Sequence, residues 1–204
     1  MAKIGMIGAG SWGIALTWLL TNNGHQVTVW SALEDEIKML CEKREHTSKL
    51  PGVLLPESVS FTTELEKAVV GMELLVLAVP SPFVRSTAHQ LKDIAEEGQI
   101  IVNVAKGIEE KTLMTLSEVI EEEIPQAQVA VLSGPSHAEE VGKGVPTTIV
   151  AGAKTKKAAE KIQNIFMSPV FRVYTSPDVL GIELGAALKN VVALAAGIAD
   201  GLGY

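Results

Sequence analysis

The sequence predicts an α/β fold of the Rossmann type, with a doubly wound, mostly parallel sheet followed by the first helix of a second, all-helical domain. Three observations carry this prediction. Short apolar runs alternate with helical patterns, a glycine motif joins the first strand to the first helix, and residues 74–79 form a continuous apolar run. Such a run is typical of a strand buried on both faces. Right-handed crossovers then place helices on both sides of the sheet.

The same patterning predicts each element in turn. Strands are predicted at residues 4–7, 27–30, 74–79, 100–104, 129–132, 147–151 and 171–174. Helices are predicted at residues 12–22, 84–95, 112–122 and 156–167. A further helix begins after Asp178 and is apolar on almost every face, as are helices buried against another domain or subunit. We therefore expect a nucleotide-binding domain over residues 1–176 and the start of a helical substrate domain over residues 177–204.

The composition is that of an ordinary globular protein and limits the classes of partner. The 204 residues are 47% hydrophobic and 20% charged, which suits one full α/β domain with a sizeable core. The net charge of -7, without a basic stripe, argues against a nucleic-acid partner. One cysteine, Cys41, cannot build a disulfide framework or a metal site, so we expect a cytoplasmic protein without a metal. No membrane association is expected, because the apolar stretch at 184–198 is short and carries Lys189 and Asn190.

The strongest local signal is Gly8-x-Gly10-x-x-Gly13, which follows a predicted strand and opens a predicted helix. This context favours dinucleotide binding over a glycine-rich turn without a ligand. Gly8 allows the tight turn, Gly10 lets the backbone approach a pyrophosphate, and Gly13 lets the helix pack closely on the strand. The free N–H groups at the start of the helix favour phosphate groups.

The end of the second predicted strand gives no cofactor preference. Ser31, Ala32 and Leu33 stand where an acidic residue would bind a ribose hydroxyl, or an arginine a 2′-phosphate. Glu34 and Asp35 come slightly late and are expected to be solvated helix residues. The choice between NAD and NADP therefore stays open.

Polar loops follow three of the predicted strands. Residues 80–82 (PSP), residues 106–107 (KG) and residues 133–137 (SGPSH) each come at a carboxyl end. In open α/β sheets ligands bind at these ends, so we expect the three loops to converge on one crevice. Taken alone, each could be a tight turn, and Lys106 a solvated surface lysine.

Lys189 lies in an apolar helix. Burying its ammonium group would cost on the order of several kcal/mol without a partner, and the desolvation would lower its pKa and make it usable as a general base. A lysine that reaches solvent at the helix edge, or one that pairs with Glu183, is an equally good interpretation on residue type alone. The neighbouring Asn190 offers a donor and acceptors to an oxygen-rich ligand.

Taken together, several segments resemble the bacterial type of NAD(P)-dependent glycerol-3-phosphate dehydrogenase. They are GAGSWG, AVPS, AKG, LSGPSHAEEV and ELGAALKNVVALAAGIADGLG, and the resemblance extends from the first strand to Tyr204. Many dehydrogenases share the glycine motif, whereas SGPS and ALKN in these places are specific to the family.

The resemblance implies an oxidoreductase that interconverts sn-glycerol 3-phosphate and dihydroxyacetone phosphate with NAD or NADP and feeds glycerophospholipid synthesis. The implied cofactor contacts are Gly8, Gly10, Ser11, Trp12, Gly13, Pro80, Lys106 and Ala138. The implied contacts to the small phosphorylated substrate are Lys106, Gly134, Ser136, Lys189 and Asn190. Among these, Lys189 matches the proton acceptor of the family.

The chain departs from the family pattern in two ways. The basic residue often found after the second strand is missing, and family members continue past Tyr204. We therefore expect an incomplete form with little activity of its own, which self-associates through the apolar helix at 182–199. Two alternatives stay open: another β-hydroxyacid or ketopantoate-type dehydrogenase, and a dinucleotide-binding module without catalytic activity.

Overall fold

A computed structural model describes residues 1–204 as one sheet of eight strands with seven α-helices. The strands are β1 (Lys3–Ile7), β2 (Gln26–Trp30), β3 (Ser60–Thr62), β4 (Leu74–Leu77), β5 (Ile100–Asn103), β6 (Gln128–Ser133), β7 (Thr147–Ala153) and β8 (Phe171–Ser176). The helices are α1 (Ser11–Asn22), α2 (Glu34–Lys43), α3 (Val84–Leu91), α4 (Leu116–Glu123), α5 (Ala138–Val141), α6 (Lys156–Phe166) and α7 (Val179–Gly201).

The sheet has the strand order β3-β2-β1-β4-β5-β6-β7-β8. Neighbouring strands are parallel throughout except for the antiparallel pair β6 and β7. The predicted doubly wound, mostly parallel fold is therefore confirmed. The chain changes direction across the sheet between β1 and β4, and in open parallel sheets this switch point is where ligands bind.

Differences from the predicted elements occur at element ends, in the shortest elements and at α2, of which only Glu34 and Asp35 were named as helix residues. The helix predicted from residue 112 begins at Leu116, because Thr115 and Glu118 form a capping box that fixes its start. The three residues of β3 and the four of α5 were not predicted, since such short segments carry no measurable periodicity.

Two apolar clusters fill the two faces of the sheet. One contains 35 buried residues and the other 16. Within β4, Leu74 and Val76 belong to the larger cluster, while Leu75 and Leu77 belong to the smaller one. This alternation explains why the strand is apolar at every position, as predicted from its sequence.

The turn between β1 and α1 has no room for a side chain at two of its glycines. A Cβ atom on Gly13 would lie 2.1 Å from the carbonyl oxygen of Gly8. Gly8 has a φ of +122°, and a Cβ atom there would lie 2.7 Å from the carbonyl oxygen of Ala78. By contrast, no heavy atom lies within 4 Å of a Cβ atom built on Gly10. Gly8 and Gly13 therefore shape the turn, and Gly10 leaves open space in front of it.

Helix α7 differs from the others because almost none of it is covered. Its one buried residue is Glu183, while Val191, Val192 and Leu194 are more than half exposed. Of the seven helices, α7 alone is long and apolar enough to cross a membrane by length and composition. Residues 188–198 of α7 are all exposed, so nothing in this chain buries this part of the helix, which had been expected to pack against another domain or subunit.

Gly13→Ala is expected to lower the free energy of unfolding by about 1–3 kcal/mol, because the added methyl group must displace the backbone of the turn. Gly10→Ala adds the same methyl group to open space and should change stability by less than about 0.5 kcal/mol. Urea unfolding followed by circular dichroism measures both changes. Equal transition midpoints for the two variants would contradict the packing described here.

Candidate active site

A cleft of about 930 Å³ follows the carboxyl ends of β1, β2, β4, β5 and β6. The β1–α1 turn, the segment after β2 and the three polar loops all contribute to its walls. Eight residues proposed from the sequence line it: Gly8, Gly10, Ser11, Trp12, Pro80, Lys106, Ser136 and Ala138. A smaller groove of about 380 Å³ near the amino ends of β5 and β6 contains none of them.

The start of α1 faces this cleft with backbone donors that have no partner in the helix. Gly10 occupies the N-cap position and has no side chain to accept from the first turn. The indole Nε1 of Trp12 is also buried without a hydrogen-bond partner. Together with the open space at Gly10, these donors fit the pyrophosphate of a dinucleotide. Gly13 does not line the cleft and acts on it only through the shape of the turn.

Lys106 connects the loop after β5 to the loop after β6. Its Nζ atom donates a hydrogen bond of 3.1 Å to the carbonyl oxygen of Gly134. The hydroxyl group of Ser136 donates to the same oxygen at 3.3 Å. Burial, and then the positive charge of Lys189, hold the pKa of Lys106 below its usual range.

Lys189 is exposed on α7, which agrees with the interpretation of a lysine that reaches solvent and not with that of a buried ammonium group. Its apolar neighbours Leu188 and Val191 are exposed as well, so they do not desolvate it. The positive charge of Lys189 nevertheless contributes, after burial, to the lowered pKa of Lys106. Neither Lys189 nor the exposed Asn190 lines the cleft itself.

Glu183 joins α7 to the sheet domain and does not pair with Lys189. Its Oε1 atom accepts a hydrogen bond of 3.0 Å from the backbone N–H of Ser117, and its Oε2 atom accepts one from the Ser117 hydroxyl group. Asn103 Nδ2 donates to Oε1 at 3.5 Å. Because Ser117 lies in the first turn of α4, the carboxylate also interacts favourably with the positive end of that helix.

This contact determines where Lys189 can lie. Lys189 follows Glu183 by six residues, which is about 9 Å along a helix axis. Glu183 is the one buried residue of α7, and together with Ile182, which lies over Gly152 of β7, it fixes the first turns of the helix that carries Lys189. We expected Glu183 only as a possible partner of Lys189; a carboxylate among apolar residues in the first turns of the helix was the signal for its other role.

Arg85 holds the far end of the loop that carries Lys106. Its Nε and Nη2 atoms donate to the two carboxylate oxygens of Glu109 at 2.7 and 2.8 Å, and its Nη1 atom contacts Glu123 at 2.7 Å. Hydrogen bonds from Arg85 and then Thr112 lower the pKa of Glu109 to about 2. The loop between β5 and α4 is therefore tied to α3 and α4 at a point three residues after Lys106.

Two protein-family models match the chain. The model for the N-terminus of NAD-dependent glycerol-3-phosphate dehydrogenase matches residues 3–159. The model for the C-terminus of the same enzyme matches residues 178–204.

Individual relatives agree with these models. A glycerol-3-phosphate dehydrogenase (NAD(P)+) of Agathobacter rectalis is 65% identical over 100% of this chain and 61% of its own length. A protein of the same name from Fusobacterium nucleatum is 58% identical over 100% of this chain and 62% of its own length. The crystal structure of glycerol-3-phosphate dehydrogenase from Coxiella burnetii superposes with a TM-score of 0.91 at 30% identity, over 98% of this chain and 62% of the other. The chain thus spans less than two thirds of the length of these relatives.

Glu183→Ala is expected to loosen α7, because the substitution leaves the N–H of Ser117 without an acceptor and removes the one buried side chain of the helix. Amide hydrogen exchange in residues 179–190 should accelerate by about tenfold or more, while exchange in α1 stays unchanged. Asp200→Ala removes an exposed carboxylate from the same helix and serves as the control. Unchanged exchange in Glu183→Ala would show that α7 is held in some other way.

Proposed function

The chain belongs to the family of NAD-dependent glycerol-3-phosphate dehydrogenases, and on that premise we propose that it interconverts sn-glycerol 3-phosphate and dihydroxyacetone phosphate as part of a longer enzyme. The observation that carries this proposal is the single cleft that extends from the glycine turn to Lys106. A reaction of this kind in the cytoplasm would feed glycerophospholipid synthesis. The family match favours it over a β-hydroxyacid or ketopantoate-type dehydrogenase.

We propose that the glycine turn holds a nicotinamide dinucleotide. Gly8, Gly10, Ser11 and Trp12 would bind its pyrophosphate. Pro80 and Ala138, which both line the cleft, would be further contacts. When bound, the nicotinamide supplies the hydride acceptor or donor. The tasks that remain for the protein are to orient the substrate, to exclude water and to move one proton.

Lys106, Gly134 and Ser136 would orient the substrate at the other end of the cleft. A phosphorylated alcohol is an anion, and the chain as a whole carries a net charge of -7. Local attraction therefore has to come from Lys106 and Lys189, two lysines whose charges interact. Asn190, next to Lys189, would provide a further hydrogen-bond contact to the substrate.

Lys189 would accept the proton of the substrate hydroxyl group during oxidation and return it to the carbonyl oxygen in the reverse direction. A proton acceptor must be able to lose its own proton first. The lowered pKa of Lys106 belongs to Lys106 alone, so the support for Lys189 as the acceptor is the match of ALKN to the family and the influence of its charge on Lys106.

We also propose a domain boundary between residues 176 and 177. The separate family matches over residues 3–159 and 178–204 support this position. Exposed aliphatic residues along residues 182–199 support self-association of the chain through that surface. Light scattering would detect the resulting oligomers, and a clean monomer would contradict this part of the proposal.

Calorimetric titration with NADH, with and without dihydroxyacetone phosphate, tests the catalytic role. The phosphate compound is expected to strengthen NADH binding about fivefold or more. Lys189→Ala should abolish this strengthening and leave the affinity for NADH alone within about twofold, because Lys189 does not line the cleft.

Lys157→Ala is the matched control, because Lys157 is an exposed lysine at the separate groove near the amino ends of the strands. It should change neither affinity. If dihydroxyacetone phosphate did not change the affinity for NADH, the result would favour the alternative of a dinucleotide-binding module without catalytic activity. A chain that binds no NADH would contradict the proposed function as a whole.

A further inference from the structure

An acidic side chain lies at the ribose end of the cleft, which is the end formed by the segment after β2 and the start of α2. Glu34, Asp35 and Glu36 form the first turn of α2. Glu34 and Asp35 are exposed, as expected from the sequence, but Glu36 is only 8% exposed and lines the cleft beside Ser31. An acceptor for a ribose hydroxyl group is therefore present, six residues beyond the end of β2.

Hydrogen bonds from three residues hold the Glu36 carboxylate in place. The hydroxyl group of Ser31 donates to Oε2 at 2.7 Å and itself accepts from the N–H of Leu33 at 3.2 Å. The ammonium group of Lys49 contacts Oε1, and His46 Nε2 lies 3.4 Å from the same oxygen. Burial alone would raise the pKa of Glu36, but these hydrogen bonds outweigh it and hold the pKa below its usual range. The side chain is thus a carboxylate anion at neutral pH.

We propose that Glu36 selects the cofactor. It accepts a hydrogen bond from the 2′-hydroxyl group of the adenosine ribose of NAD(H), and it repels the 2′-phosphate group that NADP(H) carries on the same ribose. This inference rests on the proposed function only in that a dinucleotide must bind in the cleft. The names of the relatives include both cofactors, so family membership does not decide the preference.

The balance of charges in the cleft supports exclusion of a second phosphate group. Its lysines are Lys49 and Lys106, its carboxylates are Glu36 and Glu139, and no arginine lines it. Lys106 belongs to the opposite end, where it donates to Gly134. Lys49 is already paired with Glu36. A 2′-phosphate group, with a charge between about -1.5 and -2 at neutral pH, would meet no unpaired cation at the ribose end.

A preference for NADPH would require a different arrangement of Lys49. The Lys49 side chain is 45% exposed, so it has room to leave Glu36. If it did so and paired with the 2′-phosphate group, the chain would bind NADPH at least as tightly as NADH. Direct comparison of the two affinities therefore decides between the two arrangements.

The test is equilibrium titration of the chain with NADH and NADPH, followed by nicotinamide fluorescence at one fixed salt concentration. The chain should bind NADH about tenfold or more tightly than NADPH. Glu36→Gln removes the negative charge and frees Lys49, so it should reduce this ratio about tenfold, mainly by strengthening NADPH binding. Glu34→Gln makes the same change of charge two residues earlier, at an exposed position of α2, and should leave the ratio unchanged.

A chemical probe makes the test independent of any variant. The unsubstituted chain should bind 2′-deoxy-NADH, which lacks the 2′-hydroxyl group of the adenosine ribose, about tenfold more weakly than NADH. The analogue has no hydroxyl donor for Glu36. Equal affinities for NADH and NADPH, an unchanged ratio in Glu36→Gln, or equal affinities for NADH and its 2′-deoxy analogue would each overturn the inference. Absence of binding by all three dinucleotides would instead contradict the proposed function.

Discussion

The close approach of α1 to the turn after β1 is the constraint on which the site depends. The carbonyl oxygen of Gly8 occupies the space that a Cβ atom on Gly13 would need, so the helix can begin directly behind the strand only with glycine at both positions. Its free N–H groups then point at the switch point between β1 and β4. The cleft, its open space at Gly10 and its suitability for a pyrophosphate all follow from this approach.

The two ends of the cleft differ in their charges. The chain is acidic overall, yet the end of the cleft at the loops after β5 and β6 has Lys106, on which the charge of Lys189 acts. The ribose end has Glu36 paired with Lys49, which leaves no net positive charge there. Anionic groups are thus attracted to the glycine turn and the lysine pair, and a third anionic group is disfavoured at the ribose. Glu183 maintains this arrangement because it ties α7 to α4.

Hydrophobic periodicity and the context of the glycine motif were enough to predict the fold, since both are local properties of the chain. Side-chain burial was harder to predict. Glu36 is buried and Glu34 is exposed because of the orientation of α2 and a partner, Lys49, that lies 13 residues away. The partner of Glu183 lies 66 residues away, which no local pattern reveals. The apolar neighbours of Lys189 left burial and exposure equally open, because such neighbours desolvate a lysine only where other residues cover them.

The most direct test of the account is to locate a bound dinucleotide by chemical-shift mapping of the 15N-labelled chain during titration with NADH. The account predicts the largest changes at the backbone amides of residues 9–13 and at the indole N–H of Trp12, the buried donor without a partner. Changes confined to the groove that includes Glu96 and Lys161, or no change at residues 9–13, would contradict it.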